Sequence, residues 1–207
     1  MLPLFPLPVV VFPRTRLPLH IFEERYKEMV GEAIRDHSEF GIVLARDNEM
    51  LSTGCSVIVE RVLKEYPDGR MDIVTAGVRR FTIDSLDDDK SYLRGEVSFF
   101  DDDEDPAPAP DDLRRKALEE YRHWLDLEEP GPFSDAVLTD PQLSFQLAQG
   151  LPDVDFLQKL LRDRSENSRL KHIAQFLTEF VPKRRFTAKV KEVAPLNGHT
   201  AKAPGMN

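Results

Sequence analysis

The first 26 residues combine an apolar sequence with closely spaced prolines, and few folds accommodate both. Between Leu2 and Tyr26, prolines stand at positions 3, 6, 8, 13 and 18. Because proline fixes φ and lacks a backbone N–H, this stretch cannot be a continuous helix and is confined to sheet edges, bends or bulges. The β-branched run from Val9 to Phe12 is its most suitable part for a buried strand.

An amphipathic helix is predicted directly after this stretch. Apolar residues recur there at helical spacing, and Glu23 and Glu24 lie in the first turn, where the helix dipole favours acidic side chains. The residues expected to face the core are Phe22, Tyr26, Met29, Val30, Ala33 and Ile34.

Further strands are predicted up to residue 100. Their ranges are 40–45, 54–65, 71–83 and 91–100. Pro67-Asp68-Gly69 predicts a turn between the second and third of these, and Gly77 inside the third indicates a bulge or bend. Several bent strands and one early helix favour a strongly curled sheet or small barrel.

The acidic run 101–105 and the Pro-Ala repeat after it predict a solvated, semi-rigid connector. Helical patterns follow it, with caps expected at Asp140, Asp153 and Ser165 and the last helix ending at Pro182. Trp124 lies in the apolar stripe of the first helix. We therefore predict an α+β chain with a barrel domain at 1–105, a small α-helical bundle at 111–182 and a basic, largely flexible tail at 183–207, of which 186–193 could dock as a strand or helix.

Composition and charge favour a cytoplasmic protein that does not bind nucleic acid. The net charge of −9 divides into −4 for residues 1–100, −10 for 101–182 and +5 for 183–207. An acidic body disfavours phosphate-backbone binding. The single cysteine, Cys55, excludes an internal disulfide, and neither a signal peptide nor a membrane-spanning run is recognisable.

The sequence carries no recognisable catalytic or metal-binding motif. The sequence contains no Walker-type phosphate loop, no H-E-x-x-H and no G-x-S-x-G. Cys55 is more consistent with a buried thiol than with a nucleophile. We therefore predict no catalytic residue, no metal site and no cofactor.

Six residues are candidates for binding or for a structural motif. Tyr66 beside the predicted turn, Arg79 near a buried strand and Phe133 in a Gly-Pro loop could contact a partner. Glu23, Arg25 and Tyr26 could contribute to a partner-binding patch. Alternatively, Glu23 or Arg25 could tether the start of the helix to the barrel by charge-assisted hydrogen bonds.

The N-terminal pattern resembles the substrate-binding domain of Lon proteases, and more closely the free-standing Lon-N-domain proteins of bacteria. The matching residues are Leu2 to Leu7, Val9 to Pro13, Leu17 to Leu19, Ile21 to Glu23 and Arg25-Tyr26. Asp140-Pro141 and Leu147-Ala148 extend the match more weakly. The resemblance implies a PUA-like barrel followed by a helical domain.

The resemblance further implies a non-catalytic module without the ATPase and peptidase parts of the larger proteases. We expect it to bind unfolded or misfolded polypeptide, or a specific protein client, by apolar contacts and by edge-strand pairing. It could associate weakly with itself, and no membrane partner is expected. One alternative is RNA binding through the basic tail, with Lys183, Arg184, Arg185, Lys189 and Lys191. A second is an enzyme with an unrecognised site.

Overall fold

The computed structural model describes residues 1–47, 49–103, 108–127 and 140–193, with side chains up to residue 186. Within these ranges a sheet is followed by helices. The elements in chain order are β1 Leu2–Leu7, β2 Arg16–Ile21, α1 Glu24–Asp36, β3 Phe40–Arg46, β4 Glu49–Glu65, β5 Met71–Asp87, β6 Arg94–Phe100, α2 Asp111–Leu125, α3 Leu143–Ala148, α4 Val154–Arg162 and α5 Glu166–Val193.

The sheet curls until its ends meet. Its strand order is β2-β5-β4-β3-β1-β6, and β5 also pairs with β6, so five strands form a closed ring while β2 lies outside on β5. The β1–β3 pair is parallel and the other pairs are antiparallel. The predicted α+β fold with a curled sheet is confirmed, although mixed pairing and register shifts make the ring an irregular barrel.

The first strand is not where the β-branched run predicts it. Residues 9–12 form an irregular segment between β1 and β2, in which Val11 and Phe12 are buried. We call it the crossing segment, because it passes close to Gly77 of β5. The strand is the proline-containing Leu2–Leu7 instead. The prediction was wrong because β propensity reflects packing on a half-buried surface, and an apolar crossing segment meets the same requirement.

Both prolines of β1 occupy places where no ladder hydrogen bond is lost. The Leu4 N–H donates to the Leu93 carbonyl at 2.8 Å, and the Pro6 nitrogen points the same way because alternate residues share an orientation. On that side β6 pairs only with Leu2 and Pro3, so no strand lies beside Pro6. Pro3 precedes the β3 pairing, which starts at Leu4.

Gly77 lets the crossing segment pass directly over β5. The ladder between β4 and β5 shifts here, because Cys55 pairs with Arg80 but Val57 pairs with Gly77. The Gly77 N–H donates to the Thr15 carbonyl at 2.8 Å, and the Gly77 carbonyl accepts from Arg14 at 2.8 Å. A Cβ at this position would lie 2.0 Å from the Phe12 carbonyl oxygen. The bulge expected at Gly77 is therefore confirmed.

Helix α1 packs on the face of the sheet that carries Phe5 and Ile42. Tyr26, Met29, Val30 and Ala33 are buried, as the helical spacing predicts. Phe22 is an exception: it precedes the helix and is 60% exposed, so its assignment to the core was wrong.

The helices continue the hydrophobic core of the sheet. One cluster of buried side chains includes Phe12 and Phe40 from the sheet side and Phe145, Trp124 and Leu177 from the helices. The Phe12 and Phe145 rings stack with centroids 5.5 Å apart. Trp124 is buried, as predicted, and donates to the Gly150 carbonyl at 3.0 Å. No helix among the described residues is both long and apolar enough to cross a membrane.

The last helix does not end where proline predicts. Helix α5 continues through Pro182 to Val193, and its start is capped by Ser165, whose Oγ accepts from the Ser168 N–H at 3.2 Å. Proline removes one hydrogen bond from a helix, but the residues that follow it, Lys183, Arg184 and Arg185, are good helix formers. Residues 183–193, predicted as the start of a flexible tail, are thus helical.

The acidic run is not wholly a solvated connector. Asp102 binds two buried arginines: Arg80 Nη2 lies 2.5 Å from Oδ1, and Arg169 Nη1 and Nη2 lie 2.6 Å from Oδ1 and Oδ2. Asp103 forms an ion pair with Arg164 at 2.9 Å. Residues 104–107 are outside the described part. The prediction was wrong at Asp102, because runs of like charge are usually solvated, whereas here two buried cations attract this carboxylate.

These residues form a cluster that joins sheet to helices, which we call the seam cluster: Arg80, Asp102, Ser144, Glu166 and Arg169. Arg80 is 2% exposed and also donates to the carbonyls of Leu161 and Asp163. Arg169 is fully buried and makes five hydrogen bonds, to Asp102 twice, the Asp163 carbonyl, Ser144 and Glu166. All five guanidinium N–H groups can therefore be satisfied.

The seam cluster should make stability depend on acid pH. Burial alone would raise the pKa of Asp102, but hydrogen bonds and charges from Arg169 and Arg80 outweigh it, so the pKa lies below its ordinary value of 3.8. A depressed carboxylate pKa stabilises the fold at higher pH, and this contribution is lost as the pH falls through the folded-state value.

We therefore expect the difference in unfolding free energy between the parent and Asp102→Asn to be constant above about pH 5 and to shrink below about pH 4. Urea denaturation at a series of pH values measures it. Asp103→Asn is the control, since its exposed ion pair should contribute little at any pH. A difference for Asp102→Asn that stays constant down to pH 2 would contradict this prediction.

Candidate functional site

Exposed apolar side chains lie where β4 extends beyond β3. The β3 ladder covers β4 only up to Val57, so the following residues of β4 pair with β5 alone. Ile58, Val62 and Leu63 are 40%, 43% and 58% exposed, and Phe22 follows directly after β2 on the other side of β5. Val62 pairs with Ile73, so it faces the opposite side of the sheet from Asp72 and His20. Large exposed apolar side chains are typical of an interaction surface.

Two bulges modify this part of β4. Val59 pairs with Thr75 and Arg61 with Val74, so Glu60 is an extra residue, and a second register shift leaves Leu63 as another. Bulges bend a strand and leave the extra residue outside the ladder, which exposes Leu63 and interrupts the backbone edge. This geometry favours recognition by side-chain contacts over the expected edge-strand pairing.

Strand β2 forms the other edge of this part of the sheet, and it is also protected against pairing with another strand. Strand β2 carries Pro18 at its centre, and the Arg16 carbonyl accepts a hydrogen bond from the Gln149 side chain. Arg16 itself reaches across β5 to form a bidentate ion pair with Glu60, with both N–O distances 2.7 Å. Proline and charge on an edge strand oppose pairing with another chain.

Three aromatic rings, those of His20, Phe22 and Tyr66, lie where β2 and β4 both end beside β5. The His20 ring lies 6.0 Å from Phe22 in a stacked arrangement and 6.0 Å from Tyr66 in an edge arrangement. Asp72 holds two of them, because His20 Nδ1 lies 2.6 Å from Oδ1 and the Tyr66 hydroxyl donates to Oδ2 at 2.8 Å. The hydrogen bond with His20, followed by that from Tyr66, lowers the pKa of the Asp72 carboxyl.

Tyr66 is less available for contact with a partner than its position beside a turn suggests. Lys64 Nζ lies 4.3 Å from the centroid of its ring, and the guanidinium carbon of Arg70 lies 4.9 Å from it. Such cation–π contacts, together with the hydroxyl bond to Asp72, fix the ring and leave it half-buried. Of the three rings, Phe22 presents the most free apolar surface. We call Ile58, Leu63, Phe22, His20 and Tyr66 the hairpin surface.

Arg79 lies far from Tyr66 in the structure. It is seven residues beyond Asp72 on β5, which corresponds to roughly 23 Å along an extended strand. Its guanidinium makes three contacts with the Glu39 carboxylate at 3.0–3.3 Å and lies 3.7 Å from the centroid of Phe99. The structure therefore separates these two candidates. The third, Phe133, lies outside the described residues.

The Glu23-Arg25-Tyr26 motif is local to the start of α1. Arg25 bonds to Glu23 through Nε at 3.0 Å, and neither side chain bonds to the sheet among the described residues. The helix start is held instead by Tyr26, whose ring lies 4.1 Å from that of Phe5, and by Lys27, which donates to the Asp68 carbonyl at 2.8 Å. The tether expected from Glu23 or Arg25 was therefore assigned to the wrong residues.

The chemistry of the described residues offers no nucleophile at the lone thiol. Cys55 is completely buried, and burial raises its pKa to about 12, so the thiol stays protonated at neutral pH. No group of three or more His, Cys, Asp or Glu side chains within the described ranges is arranged to hold a metal ion.

Sequence reasoning missed Phe22 and Leu63 as surface residues. A helical period that includes Phe22 predicts burial, because the start of a helix cannot be located to the residue from spacing. The adjacent pair Val62-Leu63 breaks the alternation of a strand, which is a recognisable sign of a bulge.

Comparison with known proteins identifies the fold and the family. The sequence model of the ATP-dependent protease La (LON) substrate-binding domain matches residues 1–179. The crystal structure of a Lon N-terminal domain protein from Xanthomonas campestris superposes with a TM-score of 0.67 at 26% identity, covering 84% of this chain and 97% of that one. The N-terminal domain of a Mycobacterium avium complex Lon protease shares the fold, with a TM-score of 0.60 at 16% identity, over 86% of this chain and 97% of that one.

A full-length relative shows how much of a Lon protease the match covers. Lon protease 1 of Hydrogenovibrio crunogenus is 25% identical over 182 residues, which are 80% of this chain but 22% of that protein. The match thus spans about a fifth of this relative's length. From the family match over residues 1–179, the chain belongs to the family of the Lon substrate-binding domain.

Proposed function

We propose that the chain is a non-catalytic module that recognises polypeptide substrates through the hairpin surface. The observation that carries the proposal is the exposure of Phe22, Ile58 and Leu63 on the β2–β5–β4 part of the sheet, in a chain from a substrate-binding family. Unfolded polypeptide exposes apolar side chains that such a region can bury, whereas a folded, soluble protein exposes few large apolar patches.

The arrangement of the strands supports contacts that tolerate different sequences. The bulges at Glu60 and Leu63 disfavour a backbone register, so binding depends on burying apolar side chains rather than on aligned hydrogen bonds. Tyr66, held by Asp72, positions His20 and Phe22 as a rigid border. A rigid aromatic border reduces the ordering cost of binding.

Removing the two most exposed side chains should weaken this binding. For the double variant Phe22→Ala/Leu63→Ala we expect about thirtyfold weaker affinity for an unfolded client, since each side chain contributes about 1 kcal/mol of apolar burial. Fluorescence anisotropy with a labelled polypeptide, kept unfolded by reduction and carbamidomethylation, measures the affinity. Both residues are at least 58% exposed, so the folded state should persist.

Leu86→Ala is the matched control, because Leu86 is 53% exposed near the far end of β5. It should bind the client as the parent does. Equal affinities of the parent, the control and the double variant would refute a role for the hairpin surface. Circular dichroism of each variant establishes that the fold is intact.

A further inference from the structure

A second concave surface lies beside the junction of sheet and helices. Its volume is about 410 Å³, and its lining residues come from three strands and from the end of α4. We call it the seam groove, and its lining residues are Thr53, Thr82, Ser98, Phe99, Phe100, Arg162 and Arg164. It is separate from the hairpin surface: on β5, Thr82 lies ten residues beyond Asp72.

The seam groove is cationic, although the chain is acidic overall. Among the described residues its lining includes two arginines and three hydroxyl-bearing residues but no carboxylate, while the net charge of the chain is −9. The carboxylates nearest to it are already bound, Asp84 by the Ser98 hydroxyl and Asp103 by Arg164. Two other surface grooves differ in this respect. One between α2 and α5 includes Glu179, and one beside α1 includes four acidic residues. The seam groove therefore suits an anionic group.

The charge of Arg162 is available to a ligand. Its side chain is exposed and has no hydrogen-bond or ion-pair partner among the described residues. Arg164 is already engaged, since its Nε donates to the Asp101 carbonyl at 3.1 Å and Nη2 lies 2.9 Å from Asp103. These contacts hold the Arg164 side chain in place and occupy its charge. Arg162 is therefore the arginine that can bind an anion.

The apolar part of the groove is equally fixed. The Phe99 ring is 40% exposed and lies against the Arg79 guanidinium, which Glu39 holds. Phe100 lies near the guanidinium groups of Arg80 and Arg164, at 4.7 and 5.7 Å. Within the described ranges, the groove therefore offers an aromatic surface next to one free cation.

We propose that the seam groove binds a carboxylate-bearing segment of the polypeptide substrate, with an Asp or Glu side chain on Arg162 and an adjacent apolar side chain against Phe99. This inference rests on the proposed function and assigns it a second contact with a defined chemical preference. A single free arginine matches one carboxylate. A nucleic acid strand needs several phosphate contacts, and the acidic surroundings repel it.

Two labelled peptides test the preference. One contains four repeats of Gly-Ser-Phe-Asp, and the other replaces each Asp by Asn, so that only the charge differs. At low ionic strength we expect the parent to bind the acidic peptide at least fivefold more tightly than its amide counterpart. The variant Arg162→Ala should bind both peptides equally, and added salt should reduce the preference of the parent.

Lys159→Ala is the matched control, since Lys159 is an exposed cation on the same helix that does not line the groove. It should retain the preference. Equal binding of the two peptides by the parent, a preference that persists in Arg162→Ala, or a preference that Lys159→Ala also removes would each overturn the proposal. So would binding of labelled single-stranded RNA that requires Arg162 while the peptides show no preference.

The binding of the unfolded client separates this inference from the proposed function. If the hairpin surface binds polypeptide but the seam groove does not, Phe22→Ala/Leu63→Ala weakens binding of the client and the two peptides remain equivalent. If the proposed function fails, the client does not bind and the double variant changes nothing.

Discussion

Replacing Arg169 by alanine is expected to lower the free energy of unfolding by about 3–5 kcal/mol. Arg169 is fully buried, and all its hydrogen bonds end on partners in the seam cluster or on the Asp163 carbonyl. Its removal leaves the buried Glu166 carboxylate without its cation and Asp102 with Arg80 alone. Urea denaturation followed by circular dichroism and by fluorescence of the single tryptophan, Trp124, measures the loss.

Arg46→Ala is the matched control for this variant. Arg46 also joins a strand to a helix, through an ion pair with Asp155 at 2.5 Å, but the two side chains are 50% and 67% exposed. Exposed ion pairs contribute at most about 1 kcal/mol, so Arg46→Ala should be nearly neutral. If Arg169→Ala costs no more than Arg46→Ala, the seam cluster does not hold the sheet and helices together.

Gly77→Ala is expected to destabilise the chain by about 3 kcal/mol, at the upper end of the cost of overpacking. The added Cβ would lie 2.0 Å from the Phe12 carbonyl oxygen, which is backbone and cannot move without displacing the crossing segment. That segment buries Val11 and Phe12, and the Phe12 ring stacks on Phe145. The same denaturation experiment measures the effect.

Gly31→Ala is expected to have the opposite effect on the free energy of unfolding. Gly31 lies within α1, and a Cβ there would meet no heavy atom within 4 Å. Replacing an unhindered helical glycine by alanine should stabilise the protein by about 0.5–1 kcal/mol. A similar effect of the two substitutions, in sign and size, would show that the close approach at Gly77 is not a constraint.

Local patterns predicted much of the fold. Strand β3, the turn at Gly69, the bulge at Gly77 and the cap at Asp153 all follow from chemistry that neighbouring residues determine. The errors at residues 9–12 and at Pro182 arose where packing against distant parts of the chain, rather than local preference, decides the conformation.

The candidate sites were less accessible to sequence reasoning. A prediction that Tyr66 and Arg79 are exposed cannot reveal that Asp72 and Glu39 already bind them. Nor can it reveal that Arg80, next to Arg79, is buried against a carboxylate 22 residues away. Long-range charge pairing of this kind has no period or spacing in the sequence, so it becomes visible only in three dimensions.

The division into domains at 1–105 and 111–182 stays a prediction. The buried cluster that includes both Phe12 and Phe145, together with the seam cluster, argues for cooperative unfolding of the sheet and helices. A fragment ending at residue 105 would expose Phe12 and leave Arg80 with Asp102 as its remaining carboxylate partner.

The interrupted edges of the β2–β5–β4 extension have a consequence for any protein that handles unfolded chains. A smooth, unprotected strand edge next to captured client would act as a template, and client strands could stack on it into fibrils. The bulges at Glu60 and Leu63 on β4, and Pro18 on β2, interrupt the two edges, so neither is a regular template for a further strand. If the hairpin surface captures unfolded chains as proposed, such a chain can be released instead of seeding an insoluble aggregate on the molecule that bound it.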